Sequence, residues 1–343
     1  MENHKRTELE SIGEFGLIDR IKAGTEKSNK ETIYGIGDDA AVLEFGNELV
    51  LISKDLLVEG IHFDLSFMPL RHLGYKAVAV NVSDIAAMNG TPKQILVGLS
   101  VSNRFSLEAI DEIYEGIHQA CADYKVDLVG GDTTASPSGL VISVTATGHV
   151  SKEKLAMRNT AKVNDLLCVT GDLGGAYMGL QVLLREKQVY LANPDMQPEL
   201  EGKDYIIRRQ LKPEARMDVI HEFKELGIIP TSMIDISDGL ASELMHICTQ
   251  SGVGANIYED KIPVDNSTFE TAREFNLDPL TVTLNGGEDY ELLFTVKQDD
   301  YNKIKNHPDI TIIGHITEKS SGVNLVTGAG NVFPVKAQGW KHF

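Results

Sequence analysis

The order of apolar and polar positions divides the chain into short strands and amphipathic helices. Leu49 to Ser53 is an apolar run ending in Lys54-Asp55, the pattern of a strand that delivers polar groups at its end. Between Leu70 and Met88 the positions Leu73, Ala77, Val80, Ile85 and Met88 fall on one side of a helix. Ile95 to Val101 reads as a strand. Ser106 stands as an N-cap before a second helix, whose stripe is Ile110, Ile113, Ile117, Ala120 and Cys121. Val126 to Val129 reads as a strand running into Gly130-Gly131-Asp132-Thr133-Thr134, and Leu140 to His149, rich in Val, Ile and Thr, as another.

From Ser151 to Asp165 the chain turns polar, and the boundary between two units is placed there: residues 1–150 and 151–343. Leu166 to Thr170 reads as a strand, followed by Gly171-Asp172-Leu173-Gly174-Gly175 and a helix through Leu184. Residues 190–213, with Pro194, Pro198 and Pro213, are the least regular stretch. Arg216 to Leu226 reads as a helix stopped by Gly227. Asp235-Ile236-Ser237-Asp238-Gly239 opens a further helix, on which Leu240, Leu244, Ile247 and Cys248 share a face. Leu292 to Val296 and Ile310 to Ile313 read as strands. Strands and helices alternate throughout, so the fold class is α/β (α+β).

A length of 343 residues suffices for two cores. Fifty acidic against 32 basic side chains give a formal charge of −18, which disfavours nucleic acid and anionic membrane surfaces as partners. A phosphorylated substrate stays compatible with that charge, because a bound metal inverts the local field. No apolar run approaches a membrane span. The first residues are mixed polar rather than a signal segment, and Cys121, Cys168 and Cys248 are widely spaced and read as core residues. A reducing, cytoplasmic location is therefore expected.

The aspartates carry the chemistry. They stand in Gly37-Asp38-Asp39, Ser53-Lys54-Asp55, Asn81-Val82-Ser83-Asp84, Gly130-Gly131-Asp132, Asp235-Ile236-Ser237-Asp238-Gly239 and Gly286-Gly287-Glu288-Asp289-Tyr290. Hard oxygen ligands after short apolar segments suit magnesium, and adjacent glycines let backbone N–H groups approach phosphate oxygens. Any single Asp-Gly pair is equally a turn or a helix cap; six in one chain argue for a shared site. Walker, dinucleotide-binding, protein-kinase, zinc-protease and hydrolase-elbow motifs are all missing, so a phosphotransferase here needs a less common architecture.

These segments, in this order, resemble the thiamine-monophosphate kinases, members of the superfamily of aminoimidazole ribonucleotide synthetase and selenophosphate synthetase. The likeness runs from Gly13-Glu14-Phe15 to Gly339-Trp340-Lys341-His342-Phe343. It implies a two-domain aminoimidazole ribonucleotide synthetase-like architecture, with an N-terminal ATP- and metal-binding domain whose sheet pairs into a dimeric barrel and a C-terminal α/β domain. It implies magnesium-dependent transfer from ATP to thiamine monophosphate, and a homodimer. By position it implies metal ligands at Asp38, Ser53, Lys54 (through its carbonyl), Asp55, Asp84, Asp132, Asp235 and Asp238. It implies ATP contacts at Gly131, Asp132, Arg158 and Ser237, and acceptor contacts at His62, Glu288 and Trp340, with Asp38, Asp84, Asp132, Asp238 and Arg158 carrying the catalysis. Lys54 stands where the family often has Thr, and glycines expected between Arg158 and Asp165 are replaced.

Several residues keep two readings. Asp39 reads as support for Asp38 rather than as a ligand. His62 holds an acceptor phosphate or ends a strand. Trp340, the only tryptophan, stacks on a cationic ring or anchors the C-terminus. Gly171-Asp172-Leu173-Gly174-Gly175 cradles a phosphate or is a tight strand-to-helix connection. Two other functions remain open: a superfamily enzyme acting on another acceptor, and an acidic metal-binding protein without turnover. A selenophosphate synthetase would show a reactive N-terminal cysteine, whereas the first cysteine here is Cys121.

Overall fold

The structure, a computed structural model, describes residues 11–25 and 28–337. Among these, the first sheet has six strands: β1 (Thr32–Tyr34), β2 (Ala41–Phe45), β3 (Glu48–Val58), β4 (Thr91–Val101), β5 (Asp127–Ala135) and β6 (Leu140–Val150). Their order is β1-β2-β3-β6-β4-β5, antiparallel except for the β4–β5 pair. A short helix, α1 (Gly13–Ala23), precedes the sheet, and α2 (Leu70–Ala87) and α3 (Leu107–Tyr124) cover one of its faces. On β6, Leu140, Ile142, Val144 and Ala146 are buried at every second position, as a sheet with one covered face requires. Ser106 caps α3, its hydroxyl accepting the Ala109 N–H at 3.3 Å.

The second sheet contains β7 (Leu166–Thr170), β8 (Ser232–Asp235), β9 (Gly254–Tyr258), β10 (Leu292–Val296), β11 (Ile310–Thr317), β12 (Val323–Val326) and β13 (Val332–Pro334). Its order is β13-β12-β9-β11-β7-β10-β8. Around it lie α4 (Gly175–Ala192), α5 (Asp204–Leu211), α6 (Met217–Leu226), α7 (Leu240–Ser251), α8 (Asn266–Glu274), α9 (Pro279–Asn285) and α10 (Tyr301–Ile304). The stretch read as irregular thus contains α5, and β5 continues through Gly130-Gly131-Asp132 after a register shift against β4 at Val129. Gly131 is required there: a Cβ would lie 1.9 Å from the Val97 carbonyl oxygen.

The helix α2 is more deeply buried than a one-sided stripe predicts. Even Lys76, Asn81 and Ser83 are covered, because α2 lies between the first sheet and β8, α5 and α6 of the second unit. One apolar core accordingly runs across both units, from Leu51 and Ile85 to Phe223 and Phe294, whose rings meet edge-on at 5.0 Å. A second core surrounds β7, β11 and α7.

The two-domain α/β architecture stands, but the expected barrel does not form. The first sheet is open: β1 and β5 are its opposite edges, and β1 contributes only three residues. Its apolar side is covered by α2 and α3, so the strands have no need to curl around one another to exclude water. Among the described residues no helix is long and apolar enough to cross a membrane.

The crossing of α2 and α3 fixes where α2 lies. A Cβ on Gly74 would fall 1.9 Å from the Ile113 carbonyl oxygen, and one on Gly116 would fall 1.8 Å from that of Arg71. Gly116→Ala is expected to force the helices apart and cost about 1–3 kcal/mol, read as a lower denaturation midpoint in urea. An unchanged midpoint would show that the helices slide freely.

Candidate functional site

Elements of both units deliver acidic groups to one place. On β3 the covered side carries Leu51, Ser53, Asp55 and Leu57, while Lys54 points to the other face because strand neighbours alternate. Asp84 comes from the last turn of α2, Asp235 from the end of β8, and Asp39 from the turn before β2. One carboxylate oxygen from each of Asp39, Asp84 and Asp235 lies within 4.8 Å of the other two.

A set of short polar contacts holds these side chains. Ser53 Oγ donates to Asp84, and Ser83 Oγ donates to Asp235 Oδ2 at 2.6 Å. Asn81, anchored through its amide to the Ala77 carbonyl at 3.0 Å, accepts the Asp55 N–H at 3.0 Å. Asp55 lies close enough to Asp84 to raise its pKa. The Arg158 guanidinium reaches Asp39 through Nε at 3.1 Å and through Nη2, while the Arg158 N–H donates to Asp38 at 3.2 Å. Its carbonyl accepts from Ser232 and Ser251, each at 3.0 Å, so the Arg158 backbone is clamped between β8 and α7.

The electrostatics are those of anions forced together. Burial, then Asp55, Asp235 and Asp39, drives the Asp84 pKa well above its usual range. Burial and Asp39 do the same for Asp235. Asp38 is pushed up to about 7 by burial and by Asp39, against the pull of Arg158. Burial opposes the charge of Arg158, yet Asp39, Asp38 and Asp235 together raise its pKa further. Among the described residues, Arg158 is the cation that bonds this group of carboxylates, and such a donor set fits a divalent metal.

The cluster is one end of a cavity of about 900 Å³. Asp55, Asp84, Asp235, Ser237 and Asp238 line its acidic end; Phe63, Phe67, Met68, Tyr177 and Leu180 line an apolar one. Glu243 secures the Ser237–Asp238 turn, its Oε1 accepting the two N–H groups at 3.2 and 2.7 Å. Burial and Asp238 push Glu243 up to about 8. His62 lines the cavity and accepts the Val58 N–H at Nδ1, 3.0 Å, which places its own proton on Nε2.

Glu288 lines the cavity from a tightly held loop. Its φ is +64° and that of Tyr290 is +52°. The N–H of Glu288 donates to the Ser237 carbonyl at 2.7 Å and that of Tyr290 to the Ile236 carbonyl at 2.9 Å. Between them Asp289 accepts the Gly174 and Ala176 N–H groups at 2.7 and 3.3 Å, at the start of α4. Gly287 sits so close that a Cβ would lie 2.4 Å from the Ser237 carbonyl oxygen.

Other expected residues are placed elsewhere. Asp132 and Gly131 are on edge strand β5, and register across β4 and β6 puts Asp132 on the open face of the sheet. That row is about three strand spacings, ~14 Å, from β3. Lys54 lies on the same open face and donates to Ser143 Oγ. Trp340 lies outside the described residues. The Gly171–Gly175 turn is filled by its own chain: a Cβ on Gly171 would lie 2.4 Å from the Glu291 carboxylate, and Tyr205 donates to Asp172. Arg209 binds Glu291 at 2.7 Å and the Asp172 and Asp289 carbonyls. The structural reading of that turn is the one the contacts support.

The structure also adds residues. Asp39, rather than its neighbour Asp38, shares the carboxylate triad. Asn81, Ser83 and Glu243 hold Asp55, Asp235 and the Ser237–Asp238 turn, and Lys76 meets Glu288 from a fully buried position. A polar residue inside an apolar helical run was the available signal for Lys76, Asn81 and Ser83. Nothing in Asp38-Asp39 distinguishes the two.

The chain matches known proteins along nearly its whole length. The family model AIR synthase related protein, N-terminal domain, matches residues 37–150, and AIR synthase related protein, C-terminal domain, matches residues 162–326. The thiamine-monophosphate kinase of Aquifex aeolicus (strain VF5) is 36% identical over 336 residues, covering 98% of this chain and 99% of the relative. That of Bacillus subtilis (strain 168) is 35% identical over 341 residues, covering 97% and 100%. Among solved structures, AaThiL complexed with AMPPCP and TMP superposes with a TM-score of 0.84 at 33% identity, covering 98% of this chain and 99% of that one.

The carboxylate cluster makes metal binding and stability depend on pH together. The folded-state pKa values of Asp38, Asp84 and Asp235 lie above those of an unfolded chain. Between the two values the folded form binds more protons, so the cluster's contribution to stability falls as pH rises from about 4 to about 7 without metal. Magnesium binds the deprotonated groups and is expected to raise the melting temperature more at about pH 8 than at about pH 5.5. Equal magnesium shifts at the two pH values would remove these carboxylates from the metal site.

Proposed function

This chain belongs to the thiamine-monophosphate kinase family of AIR synthase related proteins, and we propose that its acidic cavity is where ATP and the acceptor phosphate meet. The protein is a kinase that phosphorylates thiamine monophosphate to thiamine diphosphate with ATP. The observation that carries the assignment of the site is the convergence of Asp39, Asp84 and Asp235 within 4.8 Å, with Asp84 and Asp235 lining the cavity.

Magnesium is the divalent ion we assign, since the donors are all hard oxygens. Asp39, Asp55, Asp84, Asp235 and Asp238 would hold it, with Ser53 and Ser83 orienting their carboxylates. When bound, the ion supplies charge neutralisation for two phosphates that otherwise repel. Asp38 holds the Arg158 backbone in place. Arg158, whose Nε and Nη2 hold Asp39, brings a guanidinium charge to the same cluster, where it would offset the charge of phosphate oxygens. Ser237 and its neighbours present the turn on which the nucleotide phosphates rest. The acceptor is already a phosphate anion, so its oxygen attacks without a protein base, and transfer is direct and in line.

The apolar walls suit the rings of the acceptor, with His62 and Glu288 placed to fix its ends. Trp340 remains assigned to the same rings. We place the division between the units at residues 150 and 151, and a second copy of the chain against the open face of the first sheet. There Leu56 is 51% and Leu96 41% exposed beside Lys54 and Asp132. An Asp132 facing a second copy would serve that copy's site rather than its own. Cys121, Cys168 and Cys248 are free thiols, which supports a cytoplasmic location.

ADP and thiamine diphosphate are expected in equal amounts, and only when ATP, magnesium and thiamine monophosphate are all present. ADP release indifferent to the acceptor would overturn the assignment. With a chiral γ-phosphorus, direct transfer gives inversion; retention would require a phosphorylated protein intermediate. Asp84→Asn is expected to lower kcat by about 100-fold or more. Its metal-free melting temperature should be equal or higher, because a repulsive buried charge is removed. Full turnover in the folded variant would take Asp84 out of the site.

A further inference from the structure

A buried cation behind the cavity wall is unexplained by phosphate chemistry. Lys76 projects from α2 with its side chain 0% exposed, and its Nζ donates to Glu288 Oε2 at 2.9 Å. Gln210 Nε2 donates to that same oxygen at 2.7 Å, and the Gln210 carbonyl lies 3.4 Å from the Lys76 ammonium. Both contacts thus go to Oε2, while Glu288 stays 28% exposed along the cavity. We propose that Lys76 is a positioning and specificity residue for the acceptor: it neutralises Glu288 and turns Oε1 into an oriented hydrogen-bond acceptor for the exocyclic amine of the pyrimidine ring.

Charge and geometry give Lys76 this role, which rests on the reading of this cavity as the thiamine monophosphate site. An isolated carboxylate would serve any cation, including a ring carrying a positive charge. A carboxylate whose charge is matched by a buried ammonium has little net attraction left for a second cation. What it keeps is direction, because two donors hold one oxygen and the backbone at φ +64° holds the residue. A group that only accepts then selects a partner that donates. Lys76 comes from the first unit, and Gln210 and Glu288 come from the second. The acceptor pocket is therefore complete only when the units are docked.

The test is calorimetric titration of the full chain with thiamine monophosphate and with its analogue bearing a ring carbonyl in place of the amine, alongside steady-state kinetics. The wild type is expected to bind the amine form at least ~10-fold more tightly than the carbonyl form. Lys76→Met is expected to weaken binding of the amine form by ~10-fold or more and to bring the two ligands within about 3-fold. The KM for the acceptor should rise while the KM for ATP holds. A lysine serving only to join the units would lower stability or turnover without erasing that preference. Wild-type discrimination in folded Lys76→Met overturns the proposal. Lys76→Gln, close in length and neutral, keeps the test open if the methionine variant does not fold; it is expected to lose the preference too, and retention there overturns the proposal equally. A wild type that binds neither compound overturns the assignment of the cavity itself.

Discussion

Carboxylates drawn together from a helix, a strand end and a turn of the two units repel one another, and much of the surrounding structure serves to hold them there. Asp235 is buried and Asp84 and Asp39 are half-buried, each offering an oxygen within 4.8 Å of the other two. Without a cation each raises the cost of ionising the next, which is why their pKa values rise together. Ser53, Ser83 and the Arg158 fork offset part of that repulsion. The remainder is chemical potential for metal binding. A site of this kind trades stability of the empty protein for affinity toward the ion and the phosphates that come with it.

The demand for position explains the burial of α2. A surface helix could not fix Asp84 against both β3 and β8; a helix packed on all sides can. Its close crossing with α3, glycine against glycine, removes freedom along that contact. The core that continues from the first sheet into α6 and β10 fixes the second unit relative to the first. The same helix carries Lys76 two turns earlier, so the carboxylate cluster and the Glu288 wall of the cavity share one rigid support.

The second unit uses a different device. The loop from Gly286 to Tyr290 holds non-glycine residues at positive φ, a conformation that persists only where neighbours determine it. Asp289 ties the loop to the start of α4, and Glu291 binds both Arg209 and Arg216, each at 2.7 Å. Burial alone would raise the Glu291 pKa; the two arginines outweigh it and keep the group ionised. The Gly171–Gly175 turn, which has the composition of a phosphate cradle, belongs to this scaffold.

By itself the sequence determined the elements with strong periodicity and the identity of the chemistry. The runs at 166–170 and 292–296 are strands with the expected limits, because a short apolar run between polar turns has few other outcomes. Aspartates beside glycines pointed to metal and phosphate because those groups need hard oxygens and close backbone approach. Tertiary structure alone decided which of Asp38 and Asp39 joins the triad, since adjacent carboxylates differ only in direction. It decided that Asp132 lies on the open face, since strand order and register set that and neither is local. It decided that the first sheet stays open, because helices cover its apolar side. It also placed Lys76 against Glu288, a pairing across 212 positions that no local pattern encodes.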